Sequence, residues 1–452
     1  MKKTNGARRI HGLIAGAAIA LGASQAAQAA NWLELQGNEA PGAKAVTIWG
    51  FVQPQYVHNE GGAVTGLKGP AAPYNGQTAV FNLVAPDNDH SDQFQVFRAR
   101  LGARGVLSAI DDRINYFVLG EVGNNGLTLE HNPVLTDASV TFNYIPGARI
   151  RAGLFKTPTG EEALEAVQVM DYINFSNVTD NLLNERFVEP YTVTPPRTAA
   201  PLSSALRSAQ LTGATSGFRD VGVQVYDWFQ RDKWEYTYAV MVSNGNGINF
   251  NDTNSKLDLT AHLQAAYIFG GKGPRREDAT VYVWHQEGTR TFGTQDYNRV
   301  RDGVGVRYLK QPFRVSGEYM QGKGMIFNGP NPPFNDLGSG LQPVTTVGPE
   351  GKAHGWYLDG GWHITPKWEV DARYDEFNRM TNSAPDERKF TTWTAGLQYF
   401  FTPKLRVALN YEWRDLKVVN PSAITPAANQ TNAEAVAASM GNRVSTQLTW
   451  VF

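Results

Sequence analysis

The stretch Gln93-Phe-Gln-Val-Phe-Arg-Ala-Arg-Leu-Gly-Ala-Arg104 sets arginines at 98, 100 and 104. On an extended strand, residues two apart share a face. Arg98, Arg100 and Arg104 then project together, opposite Phe97, Ala99, Leu101 and Ala103. Arg149 and Arg151 repeat the spacing around Ile150. A guanidinium is always charged and offers forked donors, so a row of them is a ladder of anion sites. Arg307, Arg314, Arg373 and Arg406 fall on faces of the same kind. So do Asp137, Asp220, Glu235, Asp258, Glu318, Glu369, Asp371 and Asp375, which makes ion pairing the competing fate of any one arginine.

A second cluster is acidic. Between Thr159 and Glu189 stand Glu161, Glu162, Glu165, Asp171, Asp180, Glu185 and Glu189, against Arg186 alone. Leu164, Val167, Val169, Met170 and Ile173 run among them at helical spacing. The host segment, 159–218, is too long for a plain surface connection, which points to function.

Other chemistries find no footing. The sequence has no P-loop, no H-E-x-x-H and no G-x-S-x-G. After a leader is removed, seven histidines remain, at 58, 90, 131, 262, 285, 354 and 363, none with metal-ligand spacing. His90 and Ser91 are sequence neighbours in a loop, and neighbours on a strand point apart. Asp87, Asp89 and Asp92 could hold a divalent ion, although a solvated acidic loop is the simpler reading. No enzyme, no metal and no cofactor is expected.

The elements that position these residues begin after an export signal. Lys2, Lys3, Arg8 and Arg9 precede Gly12 to Ala23, an uncharged run of 12 residues, and Ala27-Gln28-Ala29 is a small-x-small cleavage site. That run is shorter than the ~20 residues needed to span a bilayer. Residues 1–29 are read as a signal peptide, 30–44 as a short periplasmic segment and 45–452 as the folded unit. Loss of the leader reduces 41 basic residues to 37, against 42 acidic ones. A net charge of about −5 gives no basis for nucleic-acid binding. There are no cysteines.

Alternation of apolar and polar residues recurs along the rest of the chain. Leu257 to Phe269 places Leu257, Leu259, Ala261, Leu263, Ala265, Tyr267 and Phe269 on one face. Sixteen strands are predicted: 45–59, 92–108, 113–124, 134–145, 148–158, 219–230, 234–245, 257–269, 278–288, 301–310, 313–322, 353–364, 367–377, 391–401, 404–415 and 442–452. Short connections alternate with long ones at 60–91, 125–133, 159–218, 246–256, 289–299, 323–352, 378–390 and 416–441. An even strand count with this alternation predicts an all-β fold, a 16-stranded antiparallel transmembrane β-barrel with short periplasmic turns and long extracellular loops. Aromatic residues are 11% of the chain, and many gather near the short-turn ends: Tyr144, Trp228, Trp234, Tyr267, Phe269, Tyr308, Phe313, Trp362, Trp368, Tyr399, Phe401, Trp450 and Phe452. Such rings form a girdle at the headgroup boundary. The apolar stripe Val444, Thr446, Leu448, Trp450 and Phe452 runs to the last residue, where it faces lipid while the final strand closes on the first.

Sixteen strands enclose more space than side chains fill, so an aqueous lumen is expected, with no plug segment. A charge facing lipid at mid-depth costs roughly 2–4 kcal/mol, which turns the arginines inward. The 159–218 loop is expected to fold into the lumen and narrow it, setting Glu161, Glu162, Glu165 and Asp171 against an arginine wall.

Gly153-Leu-Phe-Lys-Thr-Pro-Thr-Gly-Glu161, Arg98-Ala-Arg-Leu-Gly102 and Phe218-Arg-Asp-Val-Gly-Val-Gln224 resemble motifs of the phosphate-selective porin O/P family. The resemblance implies a trimeric barrel of the Gram-negative outer membrane with its third loop inside. By position it implies that Arg98, Arg100, Arg104, Arg149, Arg151 and Lys156 conduct anions. The acidic loop, and Lys68 as the sole lysine of the first long loop, depart from a phosphate pattern. A general or cation-leaning porin, and a closed structural or adhesive barrel, remain the alternatives. The expected partners are outer-membrane lipid and lipopolysaccharide, small ionic solutes, two further copies of the chain, and the barrel-assembly machinery. Leu448, Trp450 and Phe452 resemble the C-terminal signal which that machinery reads.

Overall fold

The computed structural model describes residues 32, 36–40, 42–79, 81, 92–125, 127–128, 133–184, 207–208, 217–249, 251–252, 254–271, 273–292, 295–331, 333 and 344–452. The leader, Asp87, Asp89, His90, His131, Glu185, Arg186 and Glu189 lie outside them. Among the described residues, sixteen antiparallel strands close into one barrel. They are β1 (Thr47–Asn59), β2 (Asp92–Leu107), β3 (Asp111–Val122), β4 (Val134–Ile145), β5 (Ala148–Lys156), β6 (Arg219–Arg231), β7 (Trp234–Ser243) and β8 (Asp258–Gly270). There follow β9 (Glu277–Phe292), β10 (Gln295–Lys310), β11 (Phe313–Lys323), β12 (Lys352–Thr365), β13 (Trp368–Arg379), β14 (Arg388–Thr402), β15 (Leu405–Val418) and β16 (Arg443–Val451). Each strand pairs with its sequence neighbours, and β16 pairs with β1.

The seam between β1 and β16 runs from Phe51↔Val451 to Asn59↔Arg443. The last residue extends it, since the Phe452 N–H donates to Gly50 O at 3.0 Å. Gly50 is small for a reason: a Cβ there would stand 2.5 Å from Phe452 Cζ. Val444, Thr446, Leu448, Trp450 and Phe452 share the outer face, while Ser445, Gln447 and Thr449 are buried inside.

Outward faces are apolar and exposed, as at Leu101, Val223, Leu263, Val283, Val306 and Leu358. Rings meet around the short-turn end: Trp234 and Tyr267 at 5.2 Å, Trp368 and Tyr399 at 4.7 Å, Trp450 and Phe452 at 5.6 Å between centroids. A second set lies farther along the strands, where Trp356, Tyr374 and Trp393 meet in sequence as tilted pairs and Tyr411 meets Trp413.

Three details differ from the sequence expectation. The connection expected at 289–299 is strand, because β9 and β10 stay paired out to Phe292↔Gln295. Those positions are mostly polar, with Phe292 and Tyr297 as the exceptions, so no apolar alternation marks them. Trp228 points inward, beneath the Arg149 guanidinium at 4.0 Å, and is not a girdle residue. Phe97 is also turned inward. The β1–β2 register slips between Gln53↔Arg98 and Pro54↔Val96, leaving Phe97 as an extra residue, and a bulge of this kind re-aims one side chain.

Loops at the other end pack on themselves. Helix α3 (Ala427–Ser439) buries Val436 against Val64, Leu67, Ala71 and Tyr74 of the first long loop. Arg207–Ser208, Ile326–Asn331 and Val344–Gly348 form a separate three-stranded sheet.

Deleting Phe452 is expected to lower the amount of folded barrel in isolated outer membranes several-fold. The molecules that do assemble keep their single-channel conductance. Electrophoretic mobility with and without boiling, followed by bilayer recording, checks both.

Candidate functional site

The interior is built around residues 157–184, the described first part of the third loop. Helix α1 (Glu161–Leu164) and helix α2 (Asn177–Leu182) carry it, and Ser176 caps α2 by accepting from the Thr179 N–H. The segment rests on an apolar seat. Val178, Leu182 and Leu183 pack with Tyr282, Trp284, Met320, Tyr357 and Phe377 from the inner faces of β9, β11, β12 and β13. Burying each aliphatic side chain stabilises by about 1.5–3 kcal/mol. Gly322 and Gly355 leave the space, since Cβ atoms there would lie 2.6 Å from Leu182 and 2.9 Å from Val178. The lumen wall is therefore apolar in this sector, contrary to the uniformly polar inner face expected from alternation.

Polar bonds tie the same segment to strands around the barrel. The Gln53 amide of β1 donates to Val167 O at 3.2 Å, and the His262 ring of β8 meets Thr159 O at 3.1 Å. The Ile173 N–H donates to Asn410 of β15 at 2.8 Å, and Asn177 bonds Asp375 of β13 and Thr392 of β14 at 2.7 and 2.8 Å. Arg301 of β10 donates to Leu182 O at 2.8 Å.

The loop carboxylates are largely consumed by these ties. Glu161 pairs with Arg307 at 3.1 Å, and Glu162 with Arg373 at 3.1 Å. Asp171 pairs with Arg275 and with Arg314, the latter at 2.8 Å. Arg314 also meets Asp359 and Asp371. Burial disfavours the Asp171 carboxylate, but Arg275, Arg314 and Arg406 outweigh it and hold its pKa at about 2. Burial, helped by the charges of Asp171 and Glu161, pushes Glu165 up to about 8. At neutral pH Glu165 is a neutral acid, so the four carboxyls present little free negative charge.

The six basic positions divide into two groups. Arg98, Arg100 and Lys156 line a cavity together with Arg219, Asn125, Asn174 and Asp180. Arg100 pairs with Glu121, and Arg219 with Asp137 at 3.0 Å. Among the described residues Arg98 donates to Gln53 Oε1 at 3.4 Å and stacks on Phe97 at 4.2 Å. Lys156 donates to the carbonyls of Leu164 and Glu165 at 3.2 and 2.6 Å. Neither Arg98 nor Lys156 has a carboxylate partner among the described residues, and both are at least nine-tenths buried. The remaining three stand elsewhere. Arg149 pairs with Asp227 at 3.1 Å, Arg104 with Glu39 at 3.2 Å, and Arg151 donates to Tyr226 Oη at 2.7 Å.

Glu39 belongs to a stretch that the sequence reading placed in the periplasm, without any plug. Its described residues lie against inner faces instead. Trp32 Nε1 donates to Glu161 at 2.5 Å, Gln36 to Leu164 O at 3.3 Å, and Tyr226 Oη to Asn38 at 2.8 Å. Trp32 is buried with Leu164, Tyr226 and Ala239, which gives the segment an apolar reason to enter. A second cavity lies beside it and is lined by Trp32, Glu165, Asp171, Arg275 and Arg307.

Sequence reasoning missed Arg219, Arg275, Phe97 and Phe175. Arg219 opens β6 in step with outward Val223 and Val225, so alternation hides it. Arg275 sits in a turn, where no periodicity applies.

A closed barrel of sixteen strands with an inward loop is the architecture of a diffusion channel. The sequence profile of the phosphate-selective porin O and P family matches residues 74–435. The chain belongs to that family. It is an outer-membrane porin, whose lumen lets small hydrophilic solutes and ions diffuse. In fold the porin resembles the anion-selective porin of Comamonas acidovorans, with a TM-score of 0.51 and 10% identity, over 91% of this chain and 100% of the other. OmpT of Vibrio cholerae follows at 0.48 and 10%, over 92% and 99%. DcaP of Acinetobacter baumannii stands at 0.45 and 12%, over 92% and 100%. No curated protein matches the porin in sequence.

Arg314→Met would leave four buried carboxylates, Asp171, Asp359, Glu369 and Asp371, without their shared cation. Breaking a buried pair costs about 3–5 kcal/mol, so urea unfolding of the vesicle-embedded porin should move to markedly lower denaturant. Glu165 supplies a pH test. Its folded pKa is raised above the ordinary 4.5, so its contribution is present below that value and fades as pH rises toward about 8. Open-channel noise should grow between pH 7 and 9, and Glu165→Gln should abolish the difference.

Proposed function

We propose that the porin prefers anions. The observation that carries this reading is the pair of buried basic side chains, Arg98 and Lys156, which have no carboxylate partner among the described residues and line a cavity beside the third loop. Two further cations line the same cavity, each neutralised by its own acid. A low-dielectric site of this kind favours a mobile negative charge over a positive one. The loop carboxylates oppose it weakly, since Glu161, Glu162 and Asp171 are paired and Glu165 carries a proton. The family description, which names phosphate, supports the same sign of selectivity.

In this reading residues 157–184 form the constriction, and solutes cross passively with no chemical step. Export would proceed by cleavage after Ala29, and assembly by recognition of Leu448, Trp450 and Phe452. The working unit would be a homotrimer in contact with outer-membrane lipid and lipopolysaccharide.

Reversal potentials in planar bilayers under a KCl gradient test the reading. The wild-type channel should pass chloride ahead of potassium. Arg98→Gln with Lys156→Gln should cut that ratio several-fold. A cation-selective wild type would overturn the proposal, and would favour the reading in which the acidic loop governs the pore.

A further inference from the structure

We infer that the cavity beside the third loop binds small aromatic monocarboxylates. The inference rests on the anion-preferring reading and narrows it to a chemical class. The wall that holds Arg98 and Lys156 also carries three phenyl rings, Phe97, Phe175 and Phe218, and the aliphatic side chains of Leu127, Val167 and Ile173. A strongly hydrated oxyanion has no use for these groups. It would lose water against rings that return no hydrogen bond.

The rings are arranged, not incidental. Phe97 reaches the interior only because the β1–β2 bulge inserts it, and the Arg98 guanidinium covers it at 4.2 Å. Phe175 and Phe218 meet edge to face, with centroids 5.0 Å apart and planes at 83°. Phe218 adopts φ 63°, an uncommon conformation for a bulky residue that is kept only where its surroundings over-determine it. The Arg98 guanidinium also lies 5.9 Å from the Phe175 ring, so charge and ring stand within the length of one small ligand.

Arg100 and Arg219 are each answered by their own acid, Glu121 and Asp137, which leaves the Arg98 guanidinium as the group that calls for a single negative charge. A carboxylate can accept from Arg98 and Lys156 while an attached ring packs against Phe175 and Phe218. Aromatic pairs of this geometry gain beyond their buried area.

Chloride current through the full-length porin in planar bilayers, recorded with added benzoate, acetate, cyclohexanecarboxylate or phosphate, tests the inference. Benzoate should half-block at a concentration about tenfold below that of acetate or phosphate, with cyclohexanecarboxylate between them. Phe175→Ala should raise the benzoate half-block about tenfold and move the phosphate value by less than about twofold. Phe97→Leu is the second variant, should the first fail to assemble, and should shift benzoate in the same direction. Trp393→Phe, on the outer face, is the control and should change neither. Phosphate blocking as well as benzoate would overturn the aromatic class while a chloride-favouring reversal potential left the anion preference standing. A cation-selective channel would remove both.

Discussion

A backbone N–H or C=O that meets hydrocarbon without a partner costs several kcal/mol, and a strand edge carries a whole row of them. The β1–β16 seam answers that constraint. It pairs Phe51 through Asn59 with the end of the chain and enlists Phe452, the final residue, in the ladder. Closure then dictates the rest. Each strand must show lipid an apolar face, its polar residues are driven inside, and sixteen of them enclose a void that must be water, side chain or folded loop.

The porin fills much of that void with its own chain. Charges turned inward by the cost of lipid find partners on the third loop, on neighbouring strands and on the segment around Trp32. Arg314 is the densest such node, binding one loop carboxylate and three from the wall. Selectivity is then set by what remains after pairing rather than by the sum of formal charges. Among the described residues Arg98 and Lys156 belong to that remainder and are held at one cavity, whereas Arg406, also without a carboxylate, is spent on Gln398 and the loop carbonyls of Gln168 and Met170.

Alternation made the barrel legible because it reports a boundary between two solvents. Wherever a strand passed through the lipid band, as at Leu257 to Phe269, its position and orientation could be read. The same signal falls silent where most residues are polar, and the paired extension of β9 and β10 went unseen there. It misleads where register slips, as at Phe97, or where a strand end leaves the lipid band, as at Arg219. It also treats the interior as one environment. Trp228, Tyr282 and Trp284 face inward because the lumen contains an apolar filling, and no residue on those strands announces what will lie against it. The acidic loop was visible by composition, but its electrostatic meaning depended on Arg307, Arg314 and Arg373, which are distant in sequence.

The ties of the third loop have a mechanical side. A bare cylinder of strands resists stretching along its hydrogen bonds but is soft toward flattening, and a bilayer squeezes its inclusions laterally. Residues 157–184 bond β1, β8, β10, β13, β14 and β15 at once. They act as spokes across a rim. The cross-section is braced from within, so lateral pressure reaches the cavity as strain on the loop, and a channel built in this way keeps its bore by the same contacts that narrow it.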